Sequence, residues 1–476
     1  MFQSLALLSL AAQLAAGQSA SETVYGSVVV SRHGDRTWKS APPTRLTIVG
    51  QNQMYNSGAY WRSRYLASDS SHRISGISEN TYSAGQVWAS APNQPLLVMS
   101  GQAFLTGLYP PAPASEALAN GTTFEPPLSG FQYAPLTTIP DDSPETVWLK
   151  GDDSCPACNE ASARWTSSDA FRALQASTGP FYQSFYRSVF AGVLPESDMS
   201  YTSAYNIFDY VNVGVVHNKT IAEAVSAQKL FQLRVLADSS EWAKSGNVSS
   251  ATNAIATPGR TLSGKVLQQM ATIISSLGAS NNSNKFSLLI ISYNTFLAFF
   301  GLSNLPRVDP NFYGLPDYAS TMAFELFAPT AGGPPAKKDL RVRFLFRNGT
   351  DNASPARQFP LFGGRMDLSW DEFNAGMSKI ALNTVEDWCT SCGSIEPFCA
   401  QYEEKTSSSS SSSGSKSGNS FSPAVAGVLG AMVTLGVFVI ALAAAIASGL
   451  RLSRRKSRAP AEAVVLEKQS EAADSI

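Results

Sequence analysis

The sequence predicts an α/β fold in which a sheet is flanked by helices and interrupted by an inserted, mainly α-helical cap subdomain. Three observations carry this. Short apolar runs rich in β-branched residues, Val24–Ser31 and Phe286–Ser292, suit strands buried on both faces. Longer proline-free stretches, Ile48–Leu66 and Leu262–Leu277, suit helices laid over a sheet. From Pro111 to about Thr257 the pattern turns irregular, first Pro-rich and then helical, as an insertion would.

In chain order, the first strand leads through a loop into the long amphipathic helix Ile48–Leu66. A second helix covers Ser100–Leu108 until Tyr109-Pro110-Pro111 stops it. The insertion, about 111–257, holds helical stretches such as Ser168–Ser188 and Ile221–Ala243. The core pattern then resumes with the helix near Leu262–Leu277 and the strand Phe286–Ser292. Thr321–Ala328 and Leu340–Arg347 read as a hairpin joined by a Gly-Gly-Pro-Pro loop. There is no internal repeat.

The first strand runs directly into Arg32-His33-Gly34-Asp35-Arg36-Thr37. A neutral imidazole nitrogen can attack phosphorus, and two fixed guanidinium groups can hold and neutralise phosphoryl oxygens meanwhile. Arg suits this because its planar fork binds a tetrahedral oxyanion through paired hydrogen bonds and stays charged at any working pH. Strand ends are also where α/β proteins place ligands. His33 is the candidate nucleophile and Arg32 and Arg36 the candidate phosphate ligands, with a phosphorylated small molecule or phosphate as partner. Arg62 is a weaker candidate for the same pocket. Arg64 reads as structural, and Glu325 as a hairpin residue facing solvent or an ion-pair partner.

The ends of the chain place this domain in the secretory pathway. Residues 1–17 read as a signal peptide, apolar and closing on Ala15-Ala16-Gly17, although without the usual basic start. The domain proper is expected over 18–405, followed by a Ser-rich stalk at 406–420. Residues 421–450 read as a single C-terminal transmembrane helix, and Arg451, Arg454, Arg455, Lys456 and Arg458 mark the cytosolic side of a short tail, 451–476. A glycolipid-anchor signal competes, but such a signal ends with its hydrophobic segment. The expectation is a type I membrane protein with its main domain extracellular or vacuolar. Asn-x-Ser/Thr glycosylation sites at Asn120, Asn218, Asn247, Asn281, Asn348 and Asn352 agree, all of them before the span. The cysteines Cys155, Cys158, Cys389, Cys392 and Cys399 read as disulfide candidates rather than zinc ligands, with pairing open and one thiol left over. A net charge of −1 and a charged fraction of 15% give no reason to expect a nucleic-acid partner.

On Arg32–Thr37, Leu46-Thr47, Trp61–Tyr65, Ser100–Pro110, Met322–Phe327, Arg341–Thr350 and Pro360–Gly363, the chain resembles the histidine acid phosphatases, the second clade of the histidine phosphatase superfamily. The resemblance covers roughly residues 22–400. It implies a phosphoglycerate-mutase-like mixed sheet with a helical cap, a phosphohistidine at His33, and no cofactor or metal. Two departures follow from the same comparison. The family's His-Asp pair, which binds phosphate and protonates the leaving oxygen, falls here on Tyr293 and Asn294. A further phosphate-binding Arg expected before the second helix is absent, since no Arg occurs between Arg73 and Arg164. Tyr293 is expected to lend its hydroxyl to phosphate, while the proton donor is expected to be missing, with Asp35 or an acid of the cap as the alternative source. A positioned general acid contributes about 10²–10⁴-fold, so the expectation is reduced hydrolysis, hardest felt with alkyl leaving groups. The alternative is a catalytically inactive pseudophosphatase that binds a phospho-ligand.

Overall fold

The computed structural model describes residues 22–402, apart from 249–252, 279–282, 331–333 and 352–354. The expected signal peptide, stalk, span and tail lie outside the described residues, as do Asn281 and Asn352. Among the described residues, no helix is long and apolar enough to cross a membrane.

Eight strands build the main sheet: β1 (Glu22–Arg32), β2 (Val87–Pro92), β3 (Thr137–Ile139), β4 (Phe286–Ile291), β5 (Thr321–Pro329), β6 (Arg341–Arg347), β7 (Arg357–Phe359) and β8 (Asp367–Ser369). Their spatial order is β8-β6-β5-β1-β4-β2-β3, with β7 paired to β6. The sheet is mixed. β1, β4, β2 and β3 run parallel, while β5 and β6 are antiparallel and form the expected hairpin.

β1 sits at the centre, and its side chains explain why. Val28 and Val30 point into one apolar layer with Leu289 and Ile291 of β4, whereas Val29 points into the other with Leu288 and Ile290. All three valines are fully buried. An unbroken apolar run of this kind satisfies a strand covered on both faces. The layer that Val29 enters is completed by α1 (Ile48–Tyr65) and α2 (Pro95–Leu108), through Met54, Trp61, Phe104 and Leu108. Across the sheet lie the helices that follow the insertion, among them α7 (Thr257–Ser275), α8 (Tyr293–Leu302) and α9 (Trp370–Ile380), together with the insertion's own core.

Within the insertion the chain forms α3 (Pro156–Thr166), α4 (Asp169–Gln183), α5 (Ala204–His217) and α6 (Ala227–Glu241). One piece of it belongs to the sheet, because β3 extends the edge beside β2. The stretch expected as one helix over Ile221–Ala243 is broken at Val225, and Ser226 caps α6 by accepting the Lys229 backbone N–H. A competing side-chain acceptor starts a new helix more cheaply than it continues an old one. α2 begins at Pro95, earlier than expected, since proline is well accommodated in a first turn.

Two disulfides fasten the far end. Cys155 at the start of α3 bonds Cys392 of α10 (Val385–Cys392), and Cys389 bonds Cys399. The pairing crosses the two Cys-x-x-Cys motifs and removes them as zinc ligands. Cys158 is the leftover thiol, and burial pushes it up to about 12, so it carries no reactive thiolate. Trp388 reinforces the link by donating its indole N–H to the Gly151 carbonyl at 2.8 Å.

Glu325 does not face solvent. It is fully buried on β5 between Arg64 Nε at 2.8 Å and Arg343 Nε at 2.7 Å. Removing one member of such a cluster leaves poorly hydrated charge behind. Glu325→Ala is expected to lower unfolding stability by about 3–5 kcal/mol, read as a shifted urea midpoint.

Candidate active site

Four parallel strands end at the same edge of the sheet. Arg32 pairs with Ile291, so the loop after β1 and the first residues after β4 leave side by side. Loops following β2 and β3 open on that edge as well. Ligand sites in open α/β sheets form at such carboxyl edges.

The hexapeptide is held there by close backbone contact. Thr47 caps α1 by accepting the Gly50 N–H, and its own hydroxyl donates to Asp35 Oδ2 at 2.5 Å. A Cβ on Gly34 would stand 2.4 Å from the Gly50 carbonyl oxygen, and one on Gly50 would stand 2.1 Å from that of Asp35. Glycine is therefore required on both sides of this contact, because any side chain would push the loop off the helix.

His33 is almost wholly buried and its Nδ1 lies 2.9 Å from the Gly34 carbonyl. A carbonyl only accepts, so Nδ1 carries the hydrogen and Nε2 keeps its lone pair. Burial, then the charges of Arg32 and Arg36, hold this imidazole well below its ordinary range. Both effects favour its neutral form.

A cavity of about 390 Å³ is lined by His33, Arg36, Lys39, Gln94, Lys150, Asp152, Glu241, Lys244, Tyr293 and Asn294. Gln94 stands in the segment from which the expected arginine is absent. A neighbouring cavity of about 470 Å³ is lined by Arg32, Asp35, Tyr205, Asp209 and Tyr318. The largest cavity described, about 940 Å³, is lined by Phe231, Trp242, Tyr313 and Arg357 and includes none of the hexapeptide.

Several candidates take different places from those expected. Arg36 does not present an open fork: Nη1 donates to Thr37 O and Asp209 Oδ2, and Nη2 to Asp209 Oδ1 and Tyr205 Oη, at 2.9–3.1 Å. All four terminal N–H groups are thus engaged. Arg32 is freer. Its Nη1 donates to the Pro316 carbonyl and its face lies over Tyr318 at 4.4 Å, while its buried Nε finds no partner among the described residues. Tyr293 donates its hydroxyl to Glu241 Oε2 at 2.7 Å instead of offering it to the cavity, and its ring stacks on Tyr205. Arg62 points away, to the Glu79 and Leu108 carbonyls and to Asn80, and lines neither cavity around the hexapeptide. Asp35 accepts from Thr47 and meets His217 Nε2 at 2.6 Å, on the Arg32 side and not in the cavity that His33 lines. His217, distant in sequence, is thereby brought to the hexapeptide by the cap.

Asn294 donates its Nδ2–H to Asp152 Oδ2 at 2.7 Å. Asp152 is half-buried, and desolvation followed by the adjacent Asp153 carboxylate pushes its carboxyl up to about 6. Asp152, Asp209, Glu241 and His217 were all missed from sequence. Asp209 alone left a signal there, an acid on the apolar face formed by Ile207, Phe208 and Val211, where a buried charge needs a partner.

Of the glycosylation candidates, Asn120, Asn218 and Asn247 are exposed. The Asn348 amide is engaged, accepting from the Asp317 N–H and the Ser320 hydroxyl and donating to Asp317.

A family model described as the histidine phosphatase superfamily (branch 2) matches residues 37–347, starting on the last residue of the hexapeptide. Lysosomal acid phosphatase of Xenopus laevis is 25% identical over 334 residues, covering 67% of this chain and 68% of that protein. Among solved structures, a phytase of Klebsiella sp. ASR1 superposes with a TM-score of 0.51 at 13% identity, covering 77% of this chain and 97% of the phytase. At that identity the likeness speaks to the fold.

Two outcomes are expected. Gly50→Ala displaces the Gly34-Asp35 loop and lowers stability by about 1–3 kcal/mol, seen as a reduced melting temperature. The second concerns acid. Below the ordinary histidine pKa of 6.5 the unfolded chain protonates at position 33 while the folded chain does not, so the folded state loses stability as pH falls. His33→Asn should therefore lose less stability than the parent between pH 7 and 5, measured by urea unfolding across that range.

Proposed function

Because the chain belongs to the histidine phosphatase superfamily (branch 2), we propose that it is a histidine-acid-phosphatase-type phosphomonoesterase acting through a phosphohistidine at His33. The observation that carries this reading is the buried imidazole of His33, held toward its neutral form and lining a cavity with Arg36, Lys39, Lys150 and Lys244. The Nε2 lone pair forms the N–P bond as the P–O bond to the leaving group breaks. Water then releases inorganic phosphate and regenerates His33. Arg36, which lines the cavity of His33, contributes field and position from its place beside Asp209, whereas Arg32, with its orphaned Nε, lines the neighbouring cavity.

Activity is reduced in this reading. Tyr293 carries no positive charge and its hydroxyl is held by Glu241, Gln94 occupies a segment where an arginine is absent, and Asn294 cannot release a proton. The same observations favour one alternative, an inactive pseudophosphatase that binds a phosphorylated ligand. A secretory location with the domain extracellular or vacuolar and a C-terminal membrane anchor accompanies both readings. It is supported by the lysosomal relative, by the two disulfides and by the pattern of the chain ends.

The full-length protein and its His33→Ala variant decide between them through phosphate release from p-nitrophenyl phosphate and glycerol 2-phosphate. Hydrolysis of both is expected to fall to the uncatalysed background in His33→Ala. Equal release by the two proteins sinks the enzyme reading, and phosphate or vanadate binding that disappears in His33→Ala would then establish the binding module.

A further inference from the structure

The phosphotransfer just described needs a proton for the leaving oxygen, since an alkoxide is strongly basic and leaves slowly without one. The acids lining the cavity of His33 are Asp152, Asp153 and Glu241. Glu241 is already engaged, accepting from the Tyr293 hydroxyl and pairing with Lys244 at 3.2 Å. Asp153 is exposed and bound to Lys150. Asp152 differs from all of these. It faces the cavity half-buried, and the side chain that meets it is a neutral amide, Asn294 Nδ2 at 2.7 Å. An amide fixes the carboxyl without the charge that would keep it ionised.

We infer that Asp152 is the general acid of this site, with the proton donor moved from the strand end onto the loop that precedes the cap helices, and Asn294 acting as its positioning residue. The inference rests on the phosphohistidine reading. In the first step His33 Nε2 bonds phosphorus, the P–O electron pair stays on the departing oxygen, and the Asp152 proton passes to that oxygen, giving the alcohol and an Asp152 carboxylate. In the second step water adds to phosphorus and its proton returns to Asp152. The P–N pair goes back to Nε2, and inorganic phosphate leaves. No other reactant is required.

The pH dependence follows with its sign. Donation requires the protonated carboxyl, which burial and Asp153 maintain up to about pH 6 against the pull of Lys150 and Lys39. Turnover of alkyl phosphates should therefore decline as pH rises through about 6, while aryl phosphates, whose leaving groups need less protonation, decline less.

The test uses the full-length protein on the same two substrates from pH 4 to 8. Asp152→Asn is expected to slow glycerol 2-phosphate by about 10²–10⁴-fold while slowing p-nitrophenyl phosphate by about tenfold or less, and to erase the decline near pH 6. The exchange Asp152→Asn with Asn294→Asp returns a carboxyl to the other side of the same hydrogen bond and should recover glycerol 2-phosphate turnover. Asn294→Asp alone sets two carboxyls in contact, so the decline should move to higher pH, a readout that stands even if Asp152→Asn fails to fold. Unchanged substrate ratio and pH profile in Asp152→Asn, or an unmoved decline in Asn294→Asp, overturn the assignment while leaving the His33 reading intact. Hydrolysis that persists equally in His33→Ala overturns both.

Discussion

Arg36 and Asp209 form a buried, two-point ion pair between the loop that follows β1 and helix α5 of the cap. Neither charge reaches water, so each depends on the other for the loss of its hydration. Other contacts assemble around them. The Lys39 backbone N–H also donates to Asp209, Trp38 donates to the Asn206 carbonyl, and Tyr205 and Tyr318 reach the pair with their hydroxyls. This junction sets where the cap sits over the sheet edge. It also fixes where one fixed positive charge stands near His33, which adds to burial and to Arg32 in favouring the neutral imidazole.

The elements of the core were legible because each has a simple physical signature. A strand buried on two faces needs an unbroken apolar run, and Val28–Val30 of β1 and Leu288–Ile291 of β4 supply it; α1 is a long proline-free stretch whose buried face alternates large and small residues, Gly50, Met54, Ser57, Gly58, Trp61 and Tyr65. The hexapeptide was legible for a different reason: three chemically demanding residue types coincide at a strand end. The cap's contribution was not. Asp152 lies in Gly151-Asp152-Asp153-Ser154, which reads as an ordinary solvated turn, and Glu241 closes a helix with no marked polarity. Their significance comes from contacts across long sequence separations, Asn294 with Asp152 and Tyr293 with Glu241. A sequence pattern records local periodicity and leaves such meetings unmarked.

The same argument explains the misplacements. Arg62 lies in the last turn of α1, and it answers local needs by gathering the Glu79 and Leu108 carbonyls. Tyr293 was expected to lend its hydroxyl to phosphate, but a buried phenol seeks an acceptor, and Glu241 supplies one from α6. Each of these side chains follows the nearest strong partner, and function depends on which partners the fold has left unsatisfied. Arg32 is the clearest remaining case, with a buried N–H that a bound anion would complete.

The bond from Cys155 to Cys392 carries a consequence for how the molecule is built. The loop bearing Asp152 ends on a cysteine tied to the last helix of the domain, and the Trp388 indole grips Gly151 one residue before that aspartate. The final stretch of the domain is thus fastened to the loop that carries Asp152, one of the residues lining the cavity of His33. A secreted form of the domain must run through Cys399 to keep both crosslinks. A chain shortened to about residue 380 would retain every strand of the sheet and the whole hexapeptide, yet lose the fastening of the wall opposite His33.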